Sequence, residues 1–127
     1  MIYHTAMQIA GRDISFSLDL DENYACDAGI IDHLRNNVVC EAEVCHVMAR
    51  ALKEGDCAVD GGANVGFFTV LMSKFVGDTG KVYAFEPGGN NLPKLAKNVT
   101  LNECRTVKII DRPLAAKSGE IVTFYEH

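Results

Sequence analysis

The sequence lacks any run of about 20 apolar residues, the length that a helix needs to cross a bilayer. It also lacks the uninterrupted apolar segment of a signal peptide, because polar residues break up positions 1–10. We therefore expect a soluble, cytoplasmic chain without a membrane partner. Basic residues are few: 12 Lys and Arg stand against 17 Asp and Glu, a net charge of −5. Since nucleic-acid backbones are bound by clustered Lys and Arg, we expect no nucleic-acid partner.

Cysteine pairs with C-x-x-C spacing are absent as well. The cysteine count is five, which is odd, and the four histidines are scattered. This pattern is neither a disulfide framework nor a zinc site, so we expect no metal. We expect the cysteines to act as small apolar side chains, with Cys45 inside a helix and Cys57 opening a buried strand.

The first half of the chain predicts a β-hairpin followed by helices. Positions 2–20 alternate polar and apolar residues around a turn at Gly11, with Ile14, Phe16 and Leu18 on one face. Asp27 is a candidate cap for a short helix through Leu34. A second, amphipathic helix is predicted over residues 41–53. Its expected inner face consists of Val44, Val47, Met48, Ala51 and Leu52.

The second half predicts strand, helix, strand, helix, strand, followed by one further strand. The three strands begin at Cys57, Val82 and Val107, and the helices span residues 67–76 and 91–99. We expect Leu92, Leu95, Ala96 and Val99 on the inner face of the second of these helices, with Lys94 and Lys97 on a solvated face. A turn at residues 117–120 precedes an expected strand over residues 121–125.

This order is the βαβαβ half of a doubly wound sheet, so the predicted fold class is α/β, with a partial Rossmann-like sheet. Right-handed crossovers put the first strand nearest the sheet centre and the next two successively outward. We expect two regions: an N-terminal extension of hairpin and helix over residues 1–40, and a nucleotide-binding half-domain over residues 41–127.

Two segments bring unusual residues to the carboxyl edge of this sheet, where ligands bind in open α/β folds. The first is the sequence D-G-G-A-N-V-G at positions 60–66, whose small residues let the backbone approach a ligand ahead of a helix N-terminus. The second is Glu86, at the end of the next strand, where a carboxylate can accept both hydroxyls of a ribose. Glycines in such turns are often only structural, and Ala63 breaks the G-x-G-x-x-G spacing. Asn64 also suits a left-handed turn. The acidic residue on the next strand nevertheless favours a nucleoside site.

The motif V-D-G-G-A-N-V-G-F-F-T at positions 59–69 resembles motif I of the FkbM-type methyltransferases, which are class I S-adenosylmethionine-dependent enzymes. Y-A-F-E-P at 83–87, N-x-x-L-N at 98–102 and the turn around Gly119 are similar to later parts of that family. The resemblance covers roughly residues 41–126. It implies S-adenosylmethionine as cofactor and O-methylation of a small molecule or sugar.

The resemblance also implies roles for individual residues. The loop of residues 62–66 would wrap the methionine part of the cofactor, Asp60 would help to hold its amino group, and Glu86 would bind the ribose. Asp111 is a weaker candidate for the adenine edge. The candidate cofactor-binding residues are Asp60, Gly61, Gly62, Ala63, Asn64, Gly66, Phe67, Glu86, Pro87 and Asp111. No catalytic base or acceptor pocket is identifiable.

Two other functions stay open at this point. An NAD-dependent oxidoreductase also uses a glycine-rich turn and a ribose carboxylate. A non-catalytic nucleotide-binding or interaction domain is the third reading, because the family's later acidic motif, I-D-x-E-G, is absent. The chain is then a fragment, a short relative that forms a homo-oligomer through its incomplete sheet edge, or a degenerate binder. We favour a fragment or short relative of a methyltransferase.

Overall fold

The computed structural model of the chain describes residues 1–125. An antiparallel hairpin and two helices come first, followed by alternating parallel strands and helices. In chain order the elements are β1 (Ile2–Ile9), β2 (Arg12–Asp19), α1 (Ala25–Arg35), α2 (Ala42–Ala51), β3 (Cys57–Gly61), α3 (Phe67–Val76), β4 (Lys81–Phe85), α4 (Asn91–Leu101) and β5 (Val107–Ile110).

The parallel sheet has the order β3-β4-β5, as the crossover rule predicts. In its register Asp60 lies opposite Ala84, and Gly61 lies opposite Phe85. Helices α3 and α4 cover one face, because Val82 packs in a cluster with Val76 of α3 and Ala84 packs with Leu95 of α4. The carboxyl ends of β3 and β4 therefore meet at one edge, directly before the two helices begin.

The other face of the sheet is open in the part of the chain that the structure describes. Val59 is 54% exposed there, and Cys57 is also exposed. The expectation that Cys57 opens a buried strand therefore holds for only one face of that strand, and Cys57 itself is exposed. The strand alternates exposed and buried residues because helices cover only one of its faces. Cys45, in contrast, is fully buried in α2 as predicted.

The hairpin packs against the helices rather than against the parallel sheet. Ile14, Phe16 and Leu18 are buried on one face, as the alternation predicted. The ring of Phe16 meets that of Phe67 at the start of α3, with 5.9 Å between centroids. Hairpin and helices thus share one hydrophobic core. The division into residues 1–40 and 41–127 stays a prediction.

Helices α1 and α2 differ in detail from the prediction. The backbone N-cap of α1 is Tyr24, while the buried Asp27 accepts hydrogen bonds from the Asp21 amide and the Lys94 ammonium. In α2 the valines at 44 and 47 are exposed. Met48 and Leu52 pack against the core as predicted, and Cys45 and Ala49 complete that inward face. Both sets of residues have helical spacing, so periodicity alone did not select the correct one.

Helix α4 buries Leu95 and packs Val99 against the core as predicted, but it differs at Ala96 and Asn98. Ala96 is exposed, and Asn98 is fully buried in its place. The predicted solvated face is confirmed for Lys97, whose side chain is 59% exposed and pairs with Asp19 at 2.5 Å. It is wrong for Lys94, whose side chain is only 25% exposed and pairs with the buried Asp27 at 3.0 Å. These ion pairs attach α4 to the N-terminal part of the chain.

The strand expected over residues 121–125 is not formed. The turn at Ser118 and Gly119 is present, but residues 120–125 form no strand. Ile121 is fully exposed, and Phe124 and Tyr125 are also exposed. An isolated short strand has no backbone partners and no covered face, so its β-propensity alone does not stabilise it.

Arg12, at the start of β2, joins the carboxyl ends of two helices. Its guanidinium donates to the carbonyls of Ala49 and Leu52 at 3.2 Å and to that of Phe75 at 3.3 Å. We expect Arg12→Ala to lower the free energy of unfolding by about 1–3 kcal/mol, because the substitution removes charge-assisted bonds to three helix-end carbonyls. Urea denaturation measures this loss. Arg105→Ala, at an exposed site, should change the value by less than about 0.5 kcal/mol. Equal effects would contradict the role of Arg12.

In the part of the chain that the structure describes, no helix is both long enough and apolar enough to cross a membrane.

Candidate functional site

The carboxyl edge of β3 and β4 brings together the two segments that the sequence singled out. Residues 61–66, here called the glycine loop, leave β3 and bend over the end of β4. The amides of Gly62 and Ala63 both donate to the Phe85 carbonyl at 2.9 Å. This main-chain link places the loop beside Glu86, so the two segments share one edge of the sheet.

Glu86, at the end of β4, is hydrogen-bonded to the glycine loop. Glu86 is only 4% exposed, and its carboxylate accepts hydrogen bonds from the main-chain N–H groups of Asn64 and Gly88, each at 2.7 Å. A carboxylate oxygen accepts more than one hydrogen bond, so acceptor capacity is left for a ligand. Glu86 therefore holds the glycine loop and presents negative charge at the same point.

Asp60 is the penultimate residue of β3 and lies on the helix-covered side of the sheet. It is 7% exposed, and its Oδ2 accepts the Thr69 hydroxyl at 2.5 Å. Burial raises the pKa of Asp60; hydrogen bonding by Thr69 opposes this rise, and the nearby Glu86 charge adds to it. Two acidic side chains thus lie close together at the start of α3, and a bound cation would lower the repulsion between them.

The glycine loop is held in conformations that few residues adopt. Asn64 has φ +50° and Gly62 has φ +83°, and the left-handed geometry of Asn64 is the one expected for that residue. The Asn64 Oδ1 is buried without a hydrogen-bond partner among the described residues. A Cβ added at Gly62 would meet no described heavy atom within 4 Å. The loop therefore combines an unsatisfied acceptor with open space above its backbone.

The remaining predicted residues lie in several different environments. Gly61 faces the open side of the sheet, where a Cβ would come within 3.0 Å of Leu114. Pro87 is half-buried beside Glu86. Asp111 follows β5 with its side chain 78% exposed, near Arg112. Phe67 is different: it is 5% exposed and its ring packs in the core against Phe16.

Three residues of the site were missed by the sequence reasoning. Thr69 binds Asp60, Gly88 binds Glu86, and Asn98 donates to the Val65 carbonyl at 2.8 Å. Thr69 and Asn98 belong to motifs that were recognised as similar to the FkbM-type family, so the resemblance contained a signal for them. Nothing in the local pattern indicated Gly88.

A wider concave space lies next to this edge, beyond β4 and β5. It has a volume of about 660 Å³ and is lined by residues that include Phe85, Ile110, Arg112 and Leu114. Neither Asp60 nor Glu86 lines it. Within residues 1–125 no group of three or more His, Cys, Asp or Glu side chains is arranged to hold a metal ion.

Comparison with solved structures identifies the architecture. The chain is similar to a provisionally assigned rRNA methylase from Clostridium thermocellum, with 28% identity and a TM-score of 0.51 over 53% of this chain and 37% of that one. A provisionally assigned methyltransferase from Streptococcus mutans, solved with S-adenosylhomocysteine, has 23% identity and a TM-score of 0.50 over 60% and 42%. A provisionally assigned transferase from Pyrococcus horikoshii has 20% identity and a TM-score of 0.51 over 87% and 37%.

The chain has a methyltransferase fold. The α/β class, the Rossmann-like parallel sheet and its partial extent are thus confirmed. The chain spans less than half the length of each of these three structures. No protein-family model matches the chain, and no curated protein matches it. None of the three structures is described as FkbM-type, so that subfamily stays a prediction.

The expectation that nucleic acid is excluded as a partner is wrong. The similar structure with 28% identity is provisionally assigned as an rRNA methylase. The error lay in using the net charge of −5 for the whole chain. A sum over all residues does not describe the charge at one surface, and nucleic-acid binding depends on local clusters.

Proposed function

We propose that this chain binds S-adenosylmethionine at the edge formed by the glycine loop and Glu86, as part of a methyltransferase. The single observation that carries the proposal is the contact of the Glu86 carboxylate with the Asn64 amide at 2.7 Å. It joins a candidate ribose-binding acid to a loop with open backbone. The S-adenosylhomocysteine in the similar Streptococcus mutans structure supports the choice of cofactor.

In this proposal Glu86 accepts the two ribose hydroxyls while it keeps its bonds to the loop. Hydrogen bonds to a charged group contribute about 1.5–3 kcal/mol each, so this contact dominates the recognition of the nucleoside. Pro87, half-buried beside Glu86, and Gly61 border the same edge. Asp111 is the candidate for the adenine edge, since it follows β5 at the same end of the sheet.

The cofactor's amino group is assigned to Asp60 and Asn64. An ammonium offers hydrogen-bond donors to the unsatisfied Asn64 Oδ1, and its charge offsets the two converging carboxylates. Gly62, Ala63, Gly66 and the main chain of Phe67 shape the space in which the methionine part lies. The fit of these residues to the group is the reason for preferring it to a neutral nucleoside.

The bound cofactor supplies an activated methyl group on its sulfonium. The chain's own residues are left to bind, orient and exclude water, which is how proximity lowers the barrier to methyl transfer. We propose an oxygen of a small molecule or sugar as acceptor, from the resemblance to FkbM-type enzymes. An RNA acceptor is the second candidate, favoured by the similarity to the Clostridium thermocellum structure. Transfer of a radiolabelled methyl group to sugars or to rRNA separates the two.

Thermal unfolding with S-adenosylhomocysteine tests cofactor binding. A ligand at 100 times its dissociation constant stabilises the fold by about 2.7 kcal/mol, or roughly 10 °C for a domain of this size. NADH is the matched ligand for the oxidoreductase alternative. A shift with NADH alone would replace the proposal with that alternative. No shift with either ligand, together with a stable oligomer by light scattering, would favour an interaction domain.

Asp60→Asn should have different effects on cofactor affinity and on the stability of the fold. A carboxyl with a raised pKa in the folded state opposes folding at neutral pH, and this cost grows as pH rises from the ordinary Asp value toward the raised one. We therefore expect the variant to be at least as stable as the wild type at pH 7, with the difference vanishing at low pH. Affinity for S-adenosylhomocysteine should fall about tenfold or more, because the charged acceptor is lost. Calorimetric titration and urea denaturation at two pH values measure both effects. Reduced stability of the variant at pH 7 would contradict the conclusion that the buried Asp60 carboxylate opposes folding.

A further inference from the structure

Asn98 on α4 is a fully buried polar residue that links the hairpin to the glycine loop. Its Oδ1 accepts the Asp19 amide of β2 at 2.6 Å, and its Nδ2 donates to the Val65 carbonyl at 2.8 Å. The same Nδ2 lies 3.4 Å from the Asp19 carbonyl. One side chain therefore contacts both the N-terminal hairpin and the candidate cofactor site.

Asn102 repeats half of this arrangement one helical turn later. It accepts the Ser17 amide at 2.8 Å and donates to the Ser17 carbonyl at 2.6 Å. Four residues of helix rise about 6 Å, and two residues of strand rise about 6.8 Å, so the two asparagines match alternate residues of β2. The side-chain amides of Asn98 and Asn102 thus bond to the free edge of β2 as the main chain of a neighbouring strand would.

Only Asn98 reaches the glycine loop. The Val65 carbonyl belongs to the peptide bond whose N–H, on Gly66, donates to the Ala63 carbonyl at 2.8 Å. The Gly66 carbonyl in turn accepts the first hydrogen bond of α3, which the main-chain N–H of Val70 donates at 2.9 Å. Fixing this one peptide plane orients both the end of the loop and the N-terminus of α3.

We infer that Asn98 is a positioning residue for cofactor binding, and that the N-terminal hairpin supports the glycine loop through it. The inference rests on the proposed function of the loop. Asn98 does not touch the candidate ligand space. It acts by holding the Val65–Gly66 peptide, which places the main chain that faces the cofactor.

The two asparagines provide a matched pair of variants. Asn98→Ala and Asn102→Ala both remove hydrogen bonds to β2 from the same helix face, so both should lower stability. We expect Asn98→Ala to weaken S-adenosylhomocysteine binding about tenfold, the effect of one lost hydrogen bond, and Asn102→Ala to change it less than about threefold. Calorimetric titration at a temperature where both variants are folded measures the difference. Equal losses of affinity would overturn the inference.

Amide hydrogen exchange without ligand gives an independent measure. We expect residues 64–68 to exchange about tenfold faster in Asn98→Ala and near the wild-type rate in Asn102→Ala. Should Asn98→Ala fail to fold, the pair Asn98→Leu and Asn102→Leu keeps an uncharged side chain of similar size while removing the amide donors. Unchanged loop exchange in the Asn98 variants would overturn the inference. If the wild type binds no S-adenosylhomocysteine, the proposed function fails, and the exchange contrast still tests the link to the loop.

Discussion

Glu86→Ala is expected to weaken S-adenosylhomocysteine binding by about 100-fold or more. The substitution removes the acceptor proposed for two ribose hydroxyls, and a bond to a charged group contributes about 1.5–3 kcal/mol. It also leaves the amides of Asn64 and Gly88 without their acceptor, which frees the glycine loop. Calorimetric titration against the wild type measures the change in affinity.

The effect of Glu86 should be specific to its position. Glu86→Gln keeps one acceptor oxygen and nearly the same shape, so we expect it to retain more stability than Glu86→Ala while still binding weakly. Glu43→Gln removes an exposed carboxylate from the first turn of α2 and should leave affinity unchanged. Binding by Glu86→Ala at wild-type affinity would show that the ribose is held elsewhere.

Gly66→Ala is expected to lower the free energy of unfolding by about 2–5 kcal/mol. Gly66 has φ +93°, a conformation that costs an L-residue about 1–2 kcal/mol. Its Cβ would lie 2.7 Å from Leu95 Cδ1, and Leu95 is fully buried. Overpacking of this kind costs about 1–3 kcal/mol more. Urea denaturation measures the total.

Gly62→Ala is the matched control for that prediction. Gly62 also has a positive φ, at +83°, but its Cβ would enter open space. We expect a loss of only about 1–2 kcal/mol, with a larger effect on cofactor affinity because the new methyl group enters the ligand space. In addition, Leu95→Ala should relieve part of the cost of Gly66→Ala in a double-mutant cycle. Equal destabilisation by the two glycine variants would contradict the close packing at Gly66.

The sequence predicted the parallel half of the fold well because its signals there are local and mutually consistent. The bounds of α3 and β5 match the apolar runs, and the strand order follows from crossover handedness. The meeting of Asp60 and Glu86 followed from the rule that parallel strands end at one edge. The left-handed Asn64 followed from its residue type.

The errors arose where tertiary packing decides between equivalent patterns. Helix α2 has two apolar faces with helical spacing, and only contact with α3 and the hairpin selects Cys45 and Ala49 over Val44 and Val47. The roles of Asn98 and Lys94 depend on partners more than 60 positions away in the chain. The periodicity of apolar residues within one helix does not indicate such distant partners. Phe67 lies in a motif yet faces the core, because the first turn of α3 points it toward Phe16.

A titration of the isotopically labelled chain with S-adenosylhomocysteine, followed by amide NMR, tests most directly whether the ends of β3 and β4 form a nucleoside site. We expect the largest shifts on residues 62–68 and 86–91, the two segments joined by the contact of Glu86 with the main-chain amide of Asn64. The hairpin turn at Ala10 and Gly11 should not shift. Saturable shifts confined to the hairpin, or no shifts at millimolar ligand, would contradict a shared nucleoside site at the ends of β3 and β4.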